Sequence, residues 1–284
     1  MLKAGRLVSK ARVDRPRMRR GAYLLPSLLT LGNLFCGYAC IVFTLRQNFE
    51  QAAALIGIAV VLDMLDGRVA RMTGTSSAFG VEFDSLADVV SFGLAPAVLS
   101  FAWGLHEFGQ AGWAAGFLFV AAAAIRLARF NIQTSAPGTD KRFFVGMPSP
   151  AAAGVPAATV YAYPYGLLGW KYAALALPMV LVPAFLMVST IRYRSFKSFD
   201  LGTRRSYRGL LLMALVIAAI ATHPQITLVV VAYGYLASGL IGWAWGRLRS
   251  GRPLDPAPAP EQGPGSGPDA TIVPATEPPG VTLD

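Results

Sequence analysis

Charge is scarce in this chain. Only 14% of its 284 residues are Asp, Glu, Lys or Arg, against about 25% in ordinary soluble proteins. With 54% hydrophobic residues and a mean hydropathy of +0.49, that scarcity excludes a soluble globular domain and predicts an integral membrane protein. Cysteine is nearly missing as well. Cys36 and Cys40 stand one helical turn apart, too few for a four-ligand metal site, and read as small packing residues. His106 and His223 fall in expected outer loops and are assigned no role. No internal repeat is visible. The first twenty residues are too charged for a signal peptide and no Ala-x-Ala-like site follows them, so no cleavage is expected. Neither a folded basic domain nor an aromatic RNA-reading motif accompanies the net charge of +10, which argues against nucleic acid as a partner.

What the chain does have is long apolar runs. They predict an all-α, polytopic transmembrane helix bundle of about eight spans: Leu24–Leu45, Gln51–Met72, Phe79–Trp103, Gln110–Phe130, Pro150–Leu168, Lys171–Ile191, Gly209–Thr222 and Gln225–Trp245. Most approach the ~20 residues that a bilayer core demands, the seventh being the shortest. Basic residues cluster in three places: Lys3 to Arg20, Arg192 to Arg208, and Arg247 to Arg252. By the positive-inside rule all three are cytoplasmic, and eight spans with both termini inside satisfy them. Residues 1–20 form a basic arm, which also suits anionic headgroups. Residues 21–248 form the membrane domain, and 249–284, rich in Pro and Gly, read as a disordered cytoplasmic tail.

Four aspartates interrupt this apolar background. Asp63 and Asp66 lie in the second span, Asp84 and Asp88 in the third. Each aspartate at the centre of a spanning helix costs roughly 2.5–3.5 kcal/mol, so four unpaired ones would cost on the order of 10 kcal/mol. Arg68 and Arg71 can offset part of that charge, but one or two hard divalent cations would do so more fully. The helical spacing supports a shared site. Asp63, Gly67 and Ala70 share nearly one stripe, and Gly80, Asp84 and Asp88 recur every fourth residue on the next segment. Two acid-bearing stripes with small-residue gaps would face each other across the short turn Gly74-Thr75-Ser76-Ser77.

The pattern D-x2-D-G-x2-A-R-x8-G-x3-D-x3-D is matched at every fixed position between Asp63 and Asp88, and in this the chain resembles the CDP-alcohol phosphatidyltransferases. The resemblance implies transfer of a phosphatidyl group from a CDP-linked lipid to an alcohol, with release of CMP, at a dinuclear Mg²⁺ or Mn²⁺ centre in a helical membrane protein. It implies that Asp63, Asp66, Asp84 and Asp88 hold the ions, that Asp88 is the general base, and that Arg71 contacts the nucleotide phosphate. Gly67 and Gly80 would leave room for CDP-diacylglycerol, and Thr30 and Asn33 of the first span would border the nucleotide. A homodimer is a further family expectation.

Three segments resemble the serine-using branch of that family: Asp84 to Pro96, Arg126 to Asn131 and Gly146 to Ala152. Arg126 and Arg129, at i and i+3, share a helix face and could hold the carboxylate of L-serine or a lipid phosphate, with Asn131 at the same level. The expected reaction is phosphatidyl transfer from CDP-diacylglycerol to L-serine, in the cytoplasmic membrane, with the site facing the cytoplasm. Glycerol 3-phosphate or inositol are the alternative acceptors. Paired intramembrane acids also occur in ion-coupled transporters, but no matching acidic helix stands in the second half of the chain.

Overall fold

In the computed structural model the described residues are 24–74, 77–135, 143–167, 169–194 and 207–249. The basic arm at 1–20 and the tail from 250 onward lie outside them. Ten helices are seen among the described residues: α1 (Leu24–Leu45), α2 (Phe49–Thr73), α3 (Ala78–Asp88), α4 (Ala95–Trp103), α5 (Gln110–Ser135), α6 (Ser149–Ala162), α7 (Trp170–Ala173), α8 (Ala176–Val188), α9 (Tyr207–Thr222) and α10 (Pro224–Arg249). The all-α expectation holds but for one ribbon, in which β1 (Phe143–Val145) pairs antiparallel with β2 (Arg192–Arg194). That ribbon ties the entry of α6 to the exit of α8. Gly146, at φ 87°, follows it, where an added Cβ would lie 2.4 Å from the Met187 carbonyl oxygen; only glycine suits such a position.

α1 and α2 form an antiparallel pair closed by Gln47, at φ 59°, and by the Asn48 side chain, which accepts from the Gln51 N–H at 3.4 Å. α2 ends on Gly74 in the left-handed conformation, and Ser77 caps α3 by accepting from the Gly80 N–H at 3.0 Å. These caps make the expected turn between the two acid-bearing helices. α3 runs into α4 through a π-helical turn, Val89–Leu94, in which the Ala95 N–H donates to the Val90 carbonyl. Its cause stands one residue on, because Pro96 has no N–H for the α-helical bond to Phe92.

Helix lengths separate the expected spans into two groups. Pro26–Leu45, Ala78–Trp103, Gln110–Ile132 and Pro224–Trp245 are long and apolar enough to cross a membrane. α2 is long enough, at 25 residues, but carries Glu50, Asp63, Asp66, Arg68 and Arg71. The fifth expected span departs from its boundaries: its helix stops at Ala162, ahead of Pro164 and of Gly166 and Gly169, both at positive φ. The sixth is divided into α7 and α8, and α8 bears an internal Pro183.

The core mixes small side chains such as Ala52, Ala59 and Ala123, which let helices approach closely, with large ones such as Phe92, Phe119 and Leu99. Cys36 and Cys40 are buried free thiols on α1, as expected of packing residues. Gly37 lies against the π turn so tightly that an added Cβ would meet Ser91 Oγ at 2.6 Å and Ser91 Cα at 2.8 Å. This contact fixes where α1 presents its polar residues to the acids.

Candidate active site

Asp63 and Asp66 lie in the last turns of α2, and Asp84 and Asp88 in the last turns of α3. The structure brings three of them together: one carboxylate oxygen from each of Asp63, Asp66 and Asp84 lies within 4.8 Å of the others. Asp66 is 4% exposed and accepts from the Thr30 hydroxyl at 3.0 Å. Asp84 Oδ1 is buried and has no hydrogen-bond partner. Among the described residues no Lys or Arg nitrogen approaches any of the four acids within 4.0 Å, and the ion pair seen there is His106–Glu107. Arg68 and Arg71 therefore do not neutralise the cluster by direct pairing. Three converging carboxylates, one with an orphaned oxygen and none with a cationic partner among the described residues, suit a hard divalent cation, and the cluster could hold a metal ion.

Asp88 is set apart. It stands outside the three-carboxylate group and accepts from Asn33 Nδ2 at 3.1 Å. Asn33 is fully buried, its own carbonyl oxygen accepts from Ser91 Oγ at 2.9 Å, and its side-chain Oδ1 has no partner. The π turn thus does local work: the residue that follows Asp88 by three reaches back to the main chain of the residue that holds Asp88. Thr30 and Asn33, expected beside the nucleotide, are hydrogen-bonded to Asp66 and Asp88. Ser91 was not singled out as a site residue from the sequence, and its proximity to Asn33 depends on two helices meeting at Gly37.

The glycines have specific neighbours. An added Cβ at Gly67 would lie 3.4 Å from Arg71 Nη1, so this gap accommodates the guanidinium one turn on, over the same face as the acids. At Gly80 a Cβ would lie 3.1 Å from the capping Ser77 Oγ, so that position is tied to the start of α3.

The cations of α5 reach across to α6 and α8. The Arg126 guanidinium donates to Ser149 Oγ at the first turn of α6 and lies 5.8 Å from the Phe130 ring centroid. Arg129 donates to the Val188 carbonyl at the end of α8, at 3.0 Å. Asn131 donates to Ser85 Oγ at 2.9 Å, joining α5 to the acid-bearing α3. Ser85 and Ser149 are second-layer residues without a sequence signal of their own beyond standing inside the segments quoted for the branch. His106 falls in the 3₁₀ turn after α4, and His223 between α9 and α10, both away from the acids.

A family model described as CDP-alcohol phosphatidyltransferase matches residues 23–191. The chain belongs to that family. The matched stretch contains Asp63, Asp66, Asp84 and Asp88 and also Arg126, Arg129 and Asn131. Among curated proteins, a CDP-diacylglycerol--serine O-phosphatidyltransferase of Helicobacter pylori is 38% identical over 222 residues, covering 78% of this chain and 91% of that protein. A protein of the same name from Mycobacterium leprae is 35% identical, over 78% of this chain and 76% of its own length. An archaetidylserine synthase of Methanothermobacter thermautotrophicus is 37% identical, over 60% of this chain and 69% of its own. Family membership and the apolar helices together make this an integral membrane enzyme and remove the ground for the ion-coupled transporter.

Proposed function

We propose that this chain transfers the phosphatidyl group of CDP-diacylglycerol to the hydroxyl of L-serine, releasing CMP. The observation that carries the reading is the three-carboxylate cluster with its unpaired Asp84 oxygen, set in a family whose relatives here bear serine-transferase names. Asp63, Asp66 and Asp84 would hold two Mg²⁺ or Mn²⁺ ions, with Asp88 at the margin of the site. When bound, such ions supply charge neutralisation at the diphosphate and at the departing CMP.

The protein's own groups do the rest. Asp88, held by Asn33 outside the cluster, retains a carboxylate oxygen able to take the serine hydroxyl proton, which a tightly metal-bound acid does less well. As that proton moves to Asp88, the serine oxygen bonds to the phosphorus that bears diacylglycerol. The phosphorus–oxygen bond to CMP breaks, and CMP leaves with the electron pair. Arg71, folded over Gly67, would contact the nucleotide phosphate. Arg126, Arg129 and Asn131 form the acceptor wall, and a guanidinium pairs well with the serine carboxylate. Thr30 keeps Asp66 oriented, and Gly80 keeps the head of α3 low. Both termini are assigned to the cytoplasm, in an eight-span arrangement of the cytoplasmic membrane with the site open to that side, and a homodimer is expected.

The test is CMP release by the purified protein from CDP-diacylglycerol with Mn²⁺ or Mg²⁺, with L-serine, glycerol 3-phosphate and inositol offered separately. Release with serine alone is the expected result. Release with another acceptor keeps the metal chemistry and overturns the serine assignment.

A further inference from the structure

An apolar cavity lies toward the other end of the bundle. It encloses about 560 Å³ between α4, α6, α8 and α10, with Trp103, Val155, Thr159, Met179, Tyr233 and Leu236 on its walls. Trp103 follows Asp88 by fifteen residues along a continuous helix, which at ~1.5 Å per residue places the Trp103 end of this cavity about 22 Å from Asp88. Its aromatic end therefore opens toward the opposite half of the membrane from the reacting groups.

Hydrogen-bonding capacity restricts what can enter. Trp103 Nε1 donates to the Tyr163 carbonyl at 2.8 Å. The Thr159 hydroxyl donates to the Val155 carbonyl at 2.9 Å, so at the 2.9 Å contact between Thr159 Oγ1 and Tyr233 Oη the phenol must be the donor. All three protons are spent within the protein. The one further phenol on the lining, Tyr163, stands at the exposed mouth, so deeper in the cavity a nucleotide, an amino acid or a headgroup would find no free donor, and an apolar cavity does not hold water stably. The mouth has a different character. Tyr163, Tyr165 and Trp170 are at least half exposed at this end, Tyr163 and Tyr165 in an edge-on pair, as aromatic residues are at a membrane interface. α10, which forms one wall, faces almost entirely outward, so the cavity is continuous with the lipid-facing surface.

We propose that this cavity binds one acyl chain of a bilayer phospholipid from the leaflet opposite the acid cluster. The site is distinct from the one that takes CDP-diacylglycerol, and its occupant is not a substrate. The chain enters beneath the aromatic mouth and supplies dispersion contacts that the walls otherwise lack.

Trp103 is a built-in reporter, being 3% exposed and on the cavity wall. The full chain, with Trp113, Trp170, Trp243 and Trp245 changed to Phe and CMP release retained, is reconstituted in one orientation into asymmetric vesicles carrying mid-chain dibrominated phosphatidylcholine in one leaflet only. Bromine in the leaflet opposite the acids is expected to remove most Trp103 emission, and bromine in the acid-side leaflet to remove little. Filling the cavity with Leu236→Phe or, separately, Val155→Phe should restore emission while lipids around the protein are unchanged. Undiminished emission, equal quenching from either leaflet, or quenching that persists in a filled variant that retains CMP release overturns the proposal. Should neither filled variant fold, a diazirine-bearing phospholipid decides the matter in the unsubstituted protein. Labelling of α6, α8 and α10 peptides that line the cavity supports the site, and labelling confined to outward faces refutes it. None of these readouts depends on which alcohol accepts the phosphatidyl group.

Discussion

Replacing Asn33 by Ala tests how Asp88 is held. The Asn33 amide is fully buried and donates to Asp88 Oδ1 at 3.1 Å, while the Ser91 bond falls on the Asn33 main chain and survives the substitution. The change therefore deletes one hydrogen bond to the carboxylate and leaves the α1–π turn contact at Gly37 in place. A buried hydrogen bond to a charged group is worth about 1.5–3 kcal/mol. If that energy orients Asp88 for proton transfer, kcat falls by about 10- to 150-fold. The assay is initial-rate CMP release at saturating metal, with serine and CDP-diacylglycerol varied in turn. KM for CDP-diacylglycerol should stay close to that of the unsubstituted protein. An unchanged kcat with a raised KM for the CDP-lipid would refute the reasoning and return Asn33 to the nucleotide.

Asp66→Asn should abolish CMP release while the protein still inserts and elutes as the unsubstituted protein does, because the Thr30 hydroxyl can still donate to the amide oxygen; full activity would remove the metal site from the mechanism. Exposure to EDTA should stop turnover, and Mn²⁺ or Mg²⁺ should restore it, as three acids without a cationic partner require. Gly37→Ala places a Cβ 2.6 Å from Ser91 Oγ, and such overpacking costs about 1–3 kcal/mol, to be read as a lowered unfolding midpoint in detergent together with reduced kcat. Ser149→Ala releases the Arg126 guanidinium from its anchor on α6 and should raise KM for serine more than it lowers kcat, with the KM for CDP-diacylglycerol as the internal control.

The membrane bundle and the acid cluster were both legible without coordinates. Apolar runs report spans because a bilayer core demands a nearly unbroken stretch of such residues, and the boundaries of α1 were read as they stand, Leu24–Leu45. The acids were legible for the opposite reason: Asp63, Asp66, Asp84 and Asp88 are too costly in that setting to be anything but compensated, and their helical spacing puts each pair on one face. Helix ends in the second half were less legible. α6 stops at Ala162, ahead of Pro164 and of Gly166 and Gly169 at positive φ, conformations that hydropathy does not record, and the sixth expected span is divided into α7 and α8.

Sequence alone, then, determined that two helices would bring four carboxylates to one level of a membrane. Only the tertiary structure decided that they are not equivalent. Three converge, and the fourth is turned onto Asn33 by a π turn that Pro96 induces and Gly37 admits. The reason is physical: a stripe of residues depends on spacing within one helix, whereas the partner of a buried carboxylate depends on how closely a second helix can approach. The same holds for the far cavity, whose walls come from four helices and whose polarity is set by which protons those helices use among themselves.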